Sequence, residues 1–430
     1  MISNYIKPYK IFCDMRKNLW LKTSELKEIQ EEKLKTLLTH AYQNVPFYRR
    51  LFDSVGLKPK DIKDSNYLYK IPAIKKSQIK SNPKDMVARN TDLSSCIEYK
   101  TSGSTGINLI GYFTREDALY MRGSYERVRN ENGFRMFRDT LLMIGVPNSI
   151  PNSNNKKLYE YFGIRRRLGL NVFEPLDVQI QVLIKAKPDA LWGYPSTIKI
   201  LAKVIQEKQI EGISPRLIFT ASEVLNSETR HFINSAFNVE LFDIYGAWET
   251  GCIAWECSNH AGYHVTMDTV LIEFIDGNGD RVNAGERGSV VVTNLHSFAM
   301  PIIRYAIGDF AIPSYEECSC GRGGYLIREI EGRYDDFIRL RDGQLISPLT
   351  IEAIMEFIPG VSEFQIVQEK EDEFVVYVVK MDGYNINTII EEIDREFRKI
   401  LGDNVSISTN FLNSIPRAQS GKLRSVISMP

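Results

Sequence analysis

Apolar positions early in the chain recur at helical spacing. Leu26, Ile29, Leu34, Leu37, Leu38 and Ala41 fall on one helix face. Thr23 or Ser24 can cap that helix, Glu25 and Glu28 occupy its first turn, and Asn44-Val45-Pro46 ends it. The pattern predicts a mainly helical start over about residues 1–95. From about Glu98 the period changes. Short apolar runs (LLMIGV, ALWGY, RLIFTAS, VELFDIYG) alternate with amphipathic stretches, which predicts an α/β region with a partly parallel sheet. From Tyr263 to Ile312 strands follow quickly, with turns at Asp276-Gly277-Asn278-Gly279 and Asn283-Ala284-Gly285, as in an antiparallel sheet or barrel. The last hundred residues read as a small α+β unit. It holds a helix near Leu349–Phe357, the strand FVVYVVK, a helix at Ile386–Leu401 and a strand near Val405–Ser408. The expected class is α/β, with a large multi-subdomain region over 1–331, a charged turn at 332–336, and a small α+β domain over 337–430.

Composition narrows the function classes. A chain of 430 residues exceeds one compact core, so two or more domains are expected. Lys plus Arg is 54 and Asp plus Glu is 54, a balance that argues against nucleic acid as the partner. The N-terminal MISNYIKPYKIFCDMRK lacks the apolar stretch of a signal peptide. The longest apolar runs, VLIEFI and FVVYVV, have strand length, so no membrane span is expected. Six cysteines in this length make no disulfide scaffold, and the cytoplasm is the expected compartment.

Five segments could carry chemistry. Thr101-Ser102-Gly103-Ser104-Thr105-Gly106 offers small residues, hydroxyls and amides that suit phosphate oxygens. No Lys follows Gly106, so it is not the lysine-bearing phosphate loop, and a plain surface turn is the alternative. Asp243-Ile244-Tyr245-Gly246-Ala247-Trp248-Glu249 ends an apolar strand with an acid that could hold Mg²⁺ or be a solvated loop acid. Asp309, after Gly308, could accept both hydroxyls of a ribose or simply form a turn. Gly332-Arg333-Tyr334-Asp335-Asp336 sits at the expected boundary. Pro416-Arg417-Ala418-Gln419-Ser420-Gly421-Lys422 lies near the C-terminus, where a frayed basic tail is the alternative. A further set, Cys257, His264, Cys318 and Cys320, suits a closed tetrahedral Zn²⁺ site. Idle buried thiols are the other reading. His260 could replace His264, and Cys252 is a spare thiol.

In this order the segments resemble the acyl-adenylate-forming superfamily of acyl-CoA synthetases, peptide-synthetase adenylation domains and luciferases. KLKTLLTHAYQNVPFYRRLF, SGSTG, MPIIRYAIGDF, CSCGR and EGRYDDFI are similar more narrowly to the phenylacetate–CoA ligase and CapK-like branch. The resemblance implies an adenylating N-terminal domain and a mobile C-terminal lid. It implies that Thr101 and residues 102–106 meet ATP, the latter wrapping its β,γ-phosphates. Ala221, Ser222 and Glu223 would lie near adenine, with Tyr245 stacking and Gly246 beside it. Glu249 would bind Mg²⁺, Asp309 the ribose, and Arg333 the nucleotide beside a hinge at Asp335. Lys422 would enter from the lid during adenylation, and a Cys/His set like the one above is frequent in the branch.

The implied reaction joins a carboxylic acid, aromatic or small and apolar, to coenzyme A through acyl-AMP. An amine or a carrier-protein thiol in capsule biosynthesis is the alternative acceptor. A non-catalytic nucleotide-binding homologue is the third, against which Glu249, Asp309 and Lys422 argue. A carrier protein and a second copy of the chain are both compatible partners. Trp248 stands where the family usually has Thr, and Ile107-Asn108 replace the usual Lys or Thr followed by Pro. Candidate residues for the acid pocket lie near 134–136, 192–195 and 245–248.

Overall fold

The computed structural model describes residues 3–101, 109–151 and 166–429. The chain forms two compact units. One comprises residues 1–136 and 242–330, the other 137–241 and 331–430.

In the first unit the helix Thr23–Asn44 buries Leu26, Leu34, Leu37, Leu38 and Ala41 on the face that the spacing predicts. Its cap is Lys22 rather than Thr23 or Ser24. The Glu25 carboxylate reaches back to accept the Lys22 amide at 2.9 Å. The Thr23 hydroxyl is engaged elsewhere, accepting from the Gly324 amide and donating to Glu317. The hairpin Ile97–Thr101 and Leu109–Phe113 follows. The strands Val270–Ile275, Gly288–Asn294, Tyr305–Pro313, Leu326–Arg333, Tyr263–Val265, Gly251–Glu256 and Leu241–Ala247 then lie side by side in that order. Of the two arrangements expected, an open antiparallel sheet forms. Its inner face joins the helices in one apolar core that includes Leu34, Val270, Val292 and Ile303.

The second unit contains four parallel strands, ordered Arg167–Asn171, Leu141–Gly145, Ala190–Gly193, Leu217–Ala221. Leu217–Ala221 is buried throughout, as a parallel strand covered on both faces must be. The helices Leu176–Ala186, Pro195–Glu207 and Ser227–Phe237 accompany these strands, and a second apolar core runs from Leu142 to Leu241. The C-terminal stretch builds a third core from Ile338 to Val426. Its sheet orders Ser406–Phe411, Glu373–Lys380, Val361–Lys370 and Val426–Ser428, with an antiparallel central pair and parallel outer strands. The helix Ile386–Leu401 packs on it through Ile389, Ile393, Phe397 and Leu401, one residue per turn. No helix among the described residues is long and apolar enough to cross a membrane.

One buried ion pair ties the first unit together. Arg127, on the helix Arg115–Glu131, is fully buried and donates two parallel hydrogen bonds of 2.7 Å to Asp268. Met15 and Asn18 add bonds to this pair from the helix Ser3–Asn18, and Lys33 donates to the Asp268 carbonyl at 2.6 Å. Burial pushes the Asp268 carboxyl up, but Arg127, Lys33 and Asn18 together outweigh it and hold it below the usual range. Asp268→Ala leaves a buried guanidinium unpaired, so unfolding free energy should fall by about 3–5 kcal/mol, read as a lower urea midpoint. The native contribution is present above the unfolded carboxyl value of about pH 4 and is lost as pH falls through the lower folded one. The variant should therefore lose less stability on acidification than the parent.

Candidate active site

Thr101, Tyr245, Gly246, Glu249, Asp309 and the Cys/His set belong to the first unit. Ala221, Ser222, Glu223, Arg333, Asp335 and Lys422 belong to the second. Ser102, Gly103, Ser104, Thr105 and Gly106 lie outside the described residues.

In the first unit the strand Leu241–Ala247 turns back into Gly251–Glu256. The structure brings Tyr245 and Asp309 together across 64 positions of sequence: the Tyr245 hydroxyl donates to the Asp309 carboxylate at 2.7 Å. Asp309 lies on the strand Tyr305–Pro313, after Gly308 with φ +91°. Glu249 is buried, and Asn294 pins its backbone by donating to its carbonyl at 3.0 Å. Trp248 is 44% exposed. Thr101 ends its strand buried, and its hydroxyl has no hydrogen-bond partner among the described residues. The neighbouring motif residue Arg304 is structural, because its buried guanidinium pairs with Glu273 at 2.9 Å.

The Cys/His set is assembled by strand register. His264 stands between Trp255 and Leu326 on the adjacent strands. Cys257 follows the strand Gly251–Glu256, and Cys318 and Cys320 precede Leu326–Arg333. The four ligand atoms lie within 4.8 Å of one another. Cys257 and Cys318 are 3.8 Å apart at sulfur, and Cys320 Sγ is 3.4 Å from His264 Nε2. Two thiolates on a tetrahedral Zn²⁺ stand about 3.8 Å apart, given Zn–S bonds near 2.3 Å. Burial holds His264 down at about 4, so its imidazole is neutral, the form that binds a metal. The donor set therefore fits Zn²⁺. His260 instead faces Glu256, with Nδ1 3.5 Å from the carboxylate.

In the second unit the strand Leu217–Ala221 delivers Ser222 at φ +75°, a left-handed conformation that a non-glycine residue holds only under constraint. Next to it the Glu223 carboxylate accepts from the Ser196 amide at 3.0 Å, the Ser196 hydroxyl at 3.1 Å and the Leu423 amide at 2.8 Å. Arg417 Nη1 donates to the Gly421 carbonyl at 3.0 Å and to Ser196 Oγ at 3.3 Å. Tyr194 lies in the stretch 192–195, expected near an acid pocket, but its hydroxyl donates to the Ser420 carbonyl at 3.0 Å. The segment around Lys422 is therefore a docked turn, not a frayed tail. Burial raises the Glu223 carboxyl, opposed by these hydrogen bonds and by Arg417. Arg333 is half-buried at the end of its strand, and Asp335 is exposed in the turn Tyr334–Asp336. Asp336 pairs with Arg424, whose Nε lies 3.1 Å from it. Sequence reasoning missed Ser196, which carries no motif of its own, and offered Tyr194 only as an acid-pocket residue.

Comparison with known proteins bears on the fold and on likeness in sequence. Residues 338–429 match the CapK C-terminal domain. The chain is 25% identical to the phenylacetate-coenzyme A ligase of Thermus thermophilus over 95% of its own length and 98% of that protein's. It is 24% identical to protein CapK of Staphylococcus aureus, over 94% and 89% respectively. A 2-hydroxyisobutyryl-CoA ligase, solved in the postadenylation state with R3-HIB-AMP, has a TM-score of 0.80 at 23% identity, covering 96% of this chain and 91% of that one. At that identity the likeness speaks for the fold. The fold is thus that of an AMP-forming, acyl-adenylate-making acid–CoA ligase structure. In sequence the chain is similar, over nearly its whole length, to phenylacetate–CoA ligases and to CapK.

Gly246 shows why this strand end needs its glycine. A Cβ there would lie 2.4 Å from the Tyr125 hydroxyl and 2.5 Å from the Gly251 carbonyl oxygen. The Gly251 carbonyl belongs to the backbone and cannot rotate away. Gly246→Ala should therefore cost about 1–3 kcal/mol through overpacking, seen as a lower melting temperature without any ligand present.

Proposed function

We propose that this chain activates a carboxylic acid, aromatic or small and apolar, with ATP and passes the acyl group to coenzyme A. The observation that carries the reading is the docking of the Lys422 turn onto Glu223, in the strand-end segment expected beside adenine. A carboxylate oxygen attacks the α-phosphorus, the bond to the β-phosphate oxygen breaks, and pyrophosphate leaves. The thiol sulfur of coenzyme A then attacks the acyl carbon, AMP leaves, and the thiol proton passes to solvent. Both partners of the first step are anions, so positioning and cationic charge decide its rate. Lys422 supplies that charge beside the α-phosphate. Asp309, oriented by the Tyr245 hydroxyl, accepts the ribose hydroxyls, and Arg333 contacts the nucleotide. Ala221 and Ser222 line the adenine. The Thr101 hydroxyl, without a partner among the described residues, suits a phosphate oxygen.

Glu249, a buried acid on a pinned backbone, would hold a Mg²⁺ ion whose charge offsets that of the phosphate oxygens. The Cys257, His264, Cys318 and Cys320 set would hold a structural Zn²⁺ with no open position. The stretch 332–336 serves as the hinge. Asp335 is exposed there, and the part from about residue 337 has its own apolar core, so rotation at the hinge opens neither core. The cytoplasm is the proposed compartment. A second acceptor, an amine or a carrier-protein thiol, is the alternative, since the chain also resembles CapK. Product mass with and without coenzyme A decides between the acceptors.

Two measurements test this reading. Lys422→Ala removes a charge used mainly in the transition state, so acid-dependent pyrophosphate exchange should fall by roughly two to three powers of ten. Thioester formation from supplied acyl-adenylate should fall far less, and unchanged exchange would remove the basis of the assignment. For the metal, purified protein should carry about one equivalent of Zn²⁺, and Cys320→Ser should lower both metal content and melting temperature.

A further inference from the structure

We infer that Glu223 is a positioning residue that clamps the Lys422 turn for the adenylation step. The inference rests on the reading of Lys422 as the adenylating cation. Glu223 is itself fixed at one end. Ser196 stands in the first turn of the helix Pro195–Glu207, where backbone amides have no partner within the helix. The Glu223 carboxylate satisfies the Ser196 amide at 3.0 Å, and the positive end of the helix dipole favours its charge. Its other oxygen accepts the Ser196 hydroxyl at 3.1 Å and the Leu423 amide at 2.8 Å. Leu423 directly follows Lys422, so this one bond fixes the peptide plane on the C-terminal side of the lysine.

The turn is shaped to present that amide. The Ala418 amide donates to the Lys422 carbonyl at 3.0 Å, and the Gly421 amide to the Ala418 carbonyl at 2.8 Å. Gly421 adopts φ +78°, and a Cβ there would lie 2.6 Å from Val172 Cγ1. Arg417 bridges the Gly421 carbonyl and Ser196 Oγ, placing a guanidinium beside the carboxylate. The backbone on either side of Lys422 is thus held by groups anchored in the parallel-sheet part: Tyr194 on Ser420, and Glu223 on Leu423. A displacement of about 1 Å at a reacting group can cost roughly a hundredfold in rate. Glu223 therefore acts through Lys422, without itself touching the reacting atoms.

The test uses the full chain and two independent variants, Glu223→Ala and Gly421→Ala, with Glu223→Gln as the conservative control. Hydrogen exchange followed by mass spectrometry reads the backbone amides of residues 419–424 without ligand. Exchange there should be roughly tenfold or more faster in both alanine variants, because a bond to a charged acceptor is lost or displaced. It should be intermediate in Glu223→Gln, whose amide oxygen still accepts. Adenylation kcat should fall roughly 10- to 100-fold in the alanine variants while KM for ATP stays within about threefold, with partial recovery in Glu223→Gln. Thioester formation from supplied acyl-adenylate should lose at least about tenfold less than adenylation. Unchanged exchange in both alanine variants overturns the clamp. Equal loss in both half-reactions, or a rise in KM for ATP that matches the loss, overturns its positioning role. If the parent forms no adenylate with any acid while exchange still responds, the functional reading fails and the clamp survives only as a structural contact.

Discussion

The carboxylate of Glu223 accepts hydrogen bonds from Ser196 and from Leu423, residues drawn from opposite ends of the second unit. Several further contacts across the seam between the parallel-sheet part and the C-terminal sheet are likewise polar. The apolar cores on its two sides are separate. Across it run Lys199 to Glu356 at 2.6 Å, Lys203 to Ser362 at 2.7 Å and Asn226 to Glu352 at 3.3 Å. Each of these can be exchanged for a bond to water at a modest net cost. An apolar seam would lose its stabilisation on opening, and each core would have to close a new surface. Two cores joined by a polar seam would each stay intact if that seam opened, as the proposed hinge requires.

The same economy explains where the positive charge sits. A phosphate loop with a lysine of its own carries that charge through every step. Here residues 102–106 have none, and the candidate cation lies on the turn held by the polar seam. Under the proposed function the charge would be present only while the turn is docked, which would suit a site that first makes an adenylate and later admits a thiol. The left-handed Ser222 lies beside Glu223, so the backbone is constrained where the seam meets the strand end.

Much of the fold was legible in the sequence because the relevant forces are local. Ile389, Ile393 and Phe397 mark one helix face by spacing alone, and the helix forms where they predict. Three of the four parallel strands, Leu141–Gly145, Ala190–Gly193 and Leu217–Ala221, were readable as apolar runs because they are well buried, whereas the half-buried edge strand Arg167–Asn171 went unseen. Legibility failed where pairing is remote or polar. Val361–Lys370 went unseen because VSEFQIVQEK mixes charges into its alternation. Val426–Ser428 went unseen because its partner lies sixty residues earlier, at Ile366–Gln368. At the site, residue types were visible but their partners were not. Nothing near Tyr245 announces Asp309, and nothing near Glu223 announces Leu423. The Cys/His set was visible as a list of donors, and only the register of three strands turns that list into a cluster.

The first unit is discontinuous in sequence, with residues 137–241 lying between its two parts. Gln30, on the helix Thr23–Asn44, donates to the Val270 carbonyl from 240 positions away, and the apolar face of that helix packs in the same core as Val270. At roughly 5–20 residues per second, a ribosome needs about ten to fifty seconds to supply that partner strand. During that interval Leu34, Leu37, Leu38 and Tyr48 have no sheet to cover them. A nascent chain of this protein thus carries an uncovered greasy helix face until well past its midpoint.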